Sequence, residues 1–277
     1  MKTILRTLLV ASLALGGSAW GASVAFLTNL KGEVALDGNP RPVLLAELSK
    51  GQKLTLGKGA QASVMFISSG REYALQGPGE FTVKDTELTA LAGAAPATRD
   101  TPWRASDKVI VQVSQTSAAS VRMRSIAVPK ADTEPKLLYP TQGAVATLQP
   151  AFRWRAADEK AGAEFVVTPS GQEKPAHHAK SAKSAYRLPV RLQPDTEYVW
   201  TVTAAGNEIG TGRFRTLPRE SLAQIEKRRP GDKAEFSDRV MFALMLHEMG
   251  AVQEARELWA RLAQERSDLP ELAALAR

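Results

Sequence analysis

The chain has no cysteine and only three histidines among 277 residues. Without cysteine there can be no disulfide, no thiolate metal site and no lipid attached through an N-terminal Cys. Long apolar runs are almost as scarce. The one run near the start, Leu8 through Leu15, falls well short of the roughly 20 residues that cross a bilayer, and no later stretch is longer. No Gly-x-Ser-x-Gly elbow occurs, nor a serine or threonine near histidine and acid in a plausible order. Gly57-Lys58-Gly59 lies between expected strands rather than before a helix, so it reads as a turn and not as a phosphate loop. No catalytic residue, cofactor or metal is expected. An enzyme would have to be a hydrolase with a site that no motif announces.

What is present at the start is a leader pattern. Residues 1–22 carry Lys2 and Arg6, the short apolar run, and then small residues around Ala19 and Gly21 that suit cleavage after Gly21. Loss of those two cations, with no acid in the segment, would lower the formal charge from +7 to +5. The remaining Lys and Arg are interspersed with Asp and Glu, so no nucleic-acid footprint is expected. The expectation is an exported protein without a stable membrane anchor. Export without disulfides points to the bacterial periplasm.

From Val24 to Leu91, short alternating apolar segments are punctuated by glycine turns such as Lys31-Gly32, Asp37-Gly38, Lys50-Gly51 and Ser69-Gly70. Ala62, Val64 and Phe66 alternate with Ser63, Met65 and Ile67, and Tyr73 and Leu75 continue the period, as a strand with one buried face requires. Gly32-Glu33-Val34, Leu54-Thr55-Leu56-Gly57 and Tyr73-Ala74-Leu75-Gln76-Gly77-Pro78-Gly79-Glu80-Phe81 resemble a FecR-type periplasmic β domain over residues 23–92. Signalling members of that family carry a cytoplasmic segment and a membrane helix ahead of this domain, and the sequence shows neither pattern before Gly32. Residues 93–136 read as a linker in which Val109, Val111 and Val113 could add a strand.

A second β unit spans 137–218, with strand candidates at 151–155, 164–168, 185–188, 197–204 and 212–216. Phe152 and Trp154 stand where a large aromatic can fill the space between two sheets. Leu192, Pro194, Thr196, Tyr198, Trp200 and Val202 recur at every second position, and Tyr198 is placed for its phenol to bond back to the preceding loop. Together these resemble a fibronectin type III or immunoglobulin-like sandwich, a fold that implies an adaptor more often than a catalyst. The polar stretch 171–184, with His177, His178 and three lysines, reads as a surface loop in which Glu173 is the sole nearby carboxylate.

After Pro218 the apolar period lengthens to that of helices, with a first helix over 219–229, a break at Pro230-Gly231-Asp232 and helices to the end. Ala243, Leu246, Gly250, Val252, Ala255, Trp259 and Leu262 resemble one tetratricopeptide-type hairpin within 219–277. One hairpin cannot bury both of its faces. The sandwich, the flanking helices, a second copy or another protein are the candidate covers. Met241, Met245 and Met249 form a stripe at helical spacing, the ordinary mark of a core and, alternatively, an adaptable docking face. Arg256 and Arg261, with Arg266, could rim such a face. The fold class is therefore mainly β, a FecR-like domain plus an immunoglobulin-like sandwich with a helical tail. The expected role is a non-enzymatic envelope adaptor for another protein, with cell-wall polysaccharide as the alternative partner.

Overall fold

The computed structural model describes residues 23–103, 136–155 and 162–277. The leader pattern of residues 1–22 and the strand suggested by Val109, Val111 and Val113 lie outside the described residues. The chain is mainly β, with its helices gathered at the C-terminal end.

Nine strands build the first unit: β1 (Ser23–Lys31), β2 (Val34–Leu36), β3 (Glu47–Ser49), β4 (Lys53–Leu56), β5 (Gln61–Phe66), β6 (Arg71–Gln76), β7 (Gly79–Val83), β8 (Leu88–Ala92) and β9 (Ala97–Asp100). They form two antiparallel sheets, ordered β3-β1-β5-β6-β9 and β2-β4-β7-β8. Glycine is required where the turns after β4 and β6 meet. A Cβ on Gly77 would stand 2.0 Å from the Gly57 carbonyl oxygen. The unit continues past Ala92, because β9 pairs with β6 and Trp103 is fully buried. Ala97-Thr98-Arg99-Asp100 has no apolar alternation, which is why this strand read as linker.

Burial in β1 and β5 departs from the one-faced pattern expected of them. Ala25, Phe26 and Leu27 are buried in succession, as are Val64, Met65 and Phe66. Successive side chains of a strand point to opposite faces, so both faces of this sheet are covered. Helices supply the second cover. After α1 (Arg219–Arg228) come α2 (Phe236–Glu248), α3 (Val252–Glu265) and α4 (Pro270–Leu275), and α2 packs on β1. In α2 every residue from Val240 to Leu246 is buried, as expected of a helix enclosed on all sides. In α3 only Ala255, Leu258, Trp259 and Leu262 are buried, the i, i+3, i+4, i+7 stripe of a helix with one solvent face. Gly250, at φ 84°, takes the left-handed turn that joins them.

The second unit is a sandwich. Its strands are β10 (Leu137–Tyr139), β11 (Ala144–Val145), β12 (Ala151–Trp154), β13 (Ala163–Pro169), β14 (His177–Ser181), β15 (Ala185–Arg187), β16 (Glu197–Ala204) and β17 (Asn207–Thr216). They are ordered β10-β12-β15 and β11-β17-β16-β13-β14. Phe152 of the smaller sheet meets Phe165, Trp200 and Phe214 of the larger one at centroid distances of 4.6, 4.9 and 5.5 Å. The Gln193 amide donates to the Tyr198 phenol oxygen at 2.9 Å, the loop tether that the alternation around Tyr198 suggests.

Candidate functional site

The two β units meet the same helical hairpin, by different means. Against the first unit the contact is a continuous apolar core reaching from Ala25 to Leu272, edged by charge. Glu72, 4% exposed, accepts from the Thr28 hydroxyl at 2.6 Å, the Ser237 hydroxyl at 3.1 Å and the Arg99 guanidinium. Arg99 also donates to Asp238 at 2.7 Å. Burial works against the Arg99 charge, but the bonds to Asp238 and Glu72 outweigh it and hold the guanidinium firmly protonated. A second clamp is Arg266. It donates to Asn29 Oδ1 at 2.7 Å and to the Leu30 carbonyl, pairs with Asp268, and lies over the Phe236 ring. A third contact runs from the Leu44 amide to Glu271 at 2.8 Å.

Against the sandwich the contact is mostly polar, with Ala144 and Ala146 packed on the edge of the shared core. Gln253 accepts from the Thr141 amide at 2.7 Å and donates to the Leu138 carbonyl at 3.2 Å, while the Ala144 amide donates to the Gly250 carbonyl at 3.0 Å. Glu254 Oε1 accepts from both the Tyr139 phenol, at 2.7 Å, and the Ala146 amide, at 2.8 Å, whereas its Oε2 is buried without a partner. Burial raises the Glu254 carboxyl above the usual carboxylate range, against the opposing pull of those two donors. The Tyr139 phenol is likewise pushed up, by burial first and the neighbouring Glu254 charge second, so it stays a donor.

These contacts relocate most of the residues singled out in the sequence. Met241 and Met245 are 0% exposed inside the shared core, so they offer no face to a partner; Met249 packs against that core, half-buried. The covers are the flanking helices α1 and α4, which were among those considered for the hairpin, and the first β unit, which was not. Arg266 is a clamp on Leu30 rather than part of a rim. Arg256 is half-buried and Arg261 exposed on α3. His177 and His178 lie in β14 rather than in a loop. His177 Nε2 is 2.8 Å from the Tyr186 hydroxyl, and His178 Nε2 is 2.5 Å from Glu164, a carboxylate brought in by the β13–β14 pairing. Burial, and then the proximity of His178, lower the His177 pKa. Among the described residues, no group of three His, Asp or Glu side chains is placed to hold a metal.

What the sequence pattern missed is a groove on the outside of the sandwich. Its larger part, about 840 Å³, lies between segments 146–149 and 191–194 on one side and the Arg219, Leu222 and Glu226 face of α1 on the other. A second part, about 540 Å³, extends from Arg191 past Val190 to Lys174. Arg191 and Arg219 are separated by a whole hairpin of strands and share no motif that could have flagged them. No protein-family model matches the chain, and no curated protein matches it.

Proposed function

We propose that the chain is a non-enzymatic adaptor of the bacterial cell envelope, exported to the periplasm by its leader pattern, that binds another envelope protein. In this reading the first unit is a FecR-type domain, the second a fibronectin type III-like sandwich, and the tail a single tetratricopeptide-like hairpin. One observation carries it: the hairpin is engaged by both β units, through an apolar core with the first and through a set of backbone-directed hydrogen bonds at its turn end with the second. A chain that fixes two β modules against one another in this way presents their outer surfaces at a constant spacing, which suits capture rather than turnover. Docking then belongs to outward surfaces and not to the methionine stripe. The test is in-cell crosslinking of the tagged full chain, with a photoreactive residue replacing Arg191, Arg256 or Arg261 in turn, followed by mass spectrometry. Reproducible capture of one envelope protein from at least one position is expected. Capture of cell-wall glycan alone from all three would overturn the adaptor reading in favour of a polysaccharide binder.

A further inference from the structure

The groove beside α1 has a charge imbalance that its own fold does not relieve. Arg191, Arg219, Arg229 and Lys174 line it, against a single carboxylate, Glu226. Glu226 is already engaged by Arg229 at 3.4 Å, and Arg229 in turn lies over the Phe242 ring. No carboxylate among the described residues pairs with Arg191, Arg219 or Lys174. The two parts share Arg191, Leu192 and Gln193, so they adjoin along that segment. Val190, 42% exposed, stands in it and is one of two large apolar side chains exposed among the described residues.

Cations without partners along two adjoining grooves, with one apolar foothold, suit an extended chain bearing carboxylates. The one aromatic ring in the lining, Tyr198, is 1% exposed and offers no face for a sugar to lie on. We infer that this groove docks an extended acidic segment of the partner protein. The inference rests on the adaptor reading and names the partner's chemistry.

The full chain would be titrated with a fluorescent peptide of alternating Glu and Val, with the same peptide carrying Gln in place of Glu, and with polygalacturonate as an anionic glycan. The Glu peptide should bind at least about tenfold more tightly than the Gln peptide, and weaken as salt is added. Arg191→Glu with Arg219→Glu should cost a further tenfold or more, roughly, and Arg191→Gln with Arg219→Gln should cost less in the same direction. Both arginines are exposed, so the variants should melt with the parent. Arg213→Glu, on an exposed position of β17 outside the groove, should change nothing. Equal binding of the two peptides, no binding of either, indifference to charge reversal, or binding of polygalacturonate in preference to the Glu peptide would each overturn the inference. In cells the two claims part company. If the double reversal captures the same envelope protein as the parent, the groove is wrong while the adaptor stands; if the parent captures none, the adaptor reading itself falls.

Discussion

The two β units solve the same problem in opposite ways. The sandwich closes its core with its own consecutive strands, Tyr139 through Phe214, and touches the hairpin mostly through polar groups at its edge, with Ala144 and Ala146 as the apolar exceptions. The first unit has a sheet whose outer face is also buried, at Phe26, Met65 and the charged Glu72, and that face is closed by helices some two hundred residues further along the chain. A domain drawn by sequence continuity is thus a folding unit in the second case and half of one in the first.

Removing residues 219–277 separates the two cases most sharply. The sandwich should remain folded by circular dichroism and protease resistance, while the first unit, with Phe26 and Met65 uncovered, should lose cooperative unfolding and bind a hydrophobic dye. Survival of both would show that the first unit is self-sufficient. Within the full chain, Trp259→Ala should lower the stability of the shared core by about 3–5 kcal/mol, because a fully buried indole leaves a cavity. The sandwich should melt where it did before. Tyr198→Phe should act on the other side of the divide. It deprives the Gln193 amide of its acceptor and should cost the sandwich about 1–2 kcal/mol, leaving the shared core unchanged in denaturant titrations.

The smallest effect tests the polar seam between the units. Glu254 binds its proton more tightly in the folded chain than in the unfolded one. Its contribution is therefore complete below the ordinary carboxylate pKa and is lost as pH rises through the raised folded value. Glu254→Gln can keep the two donors on Oε1 while removing that titration. The variant should be at least as stable as the parent at neutral pH and should lack this part of the decline between acid and neutral pH. A parent whose stability rises over the same range, with Glu254→Gln following it, would place the carboxyl in a different environment.

Local chemistry made much of this fold legible. The glycine turns, the alternation through Tyr198, Trp200 and Val202, and the change to helical spacing after Pro218 each reflect a constraint acting within a few residues. Met241 and Met245 show where that kind of reading ends. Their spacing says that one face of a helix is buried, but the partner is β1, and no pairing signal joins two segments so far apart. Arg266 misled for a related reason, since an arginine on a helix looks the same in sequence whether it faces water or a Leu30 carbonyl. The groove was illegible altogether, because it is assembled from a strand connection and a helix that carry no shared pattern.

The shared core also sets an order of events during synthesis. A chain emerges from the ribosome amino end first, so β1 is made early, yet the helices that cover its outer face are made last. The sandwich, synthesised in between, has every residue of its core in hand before α2 exists. Strand β1 therefore waits long for its outer cover, and through that interval Phe26, with Met65 opposite it on β5, depends on something other than its native helical neighbours to keep it from other chains.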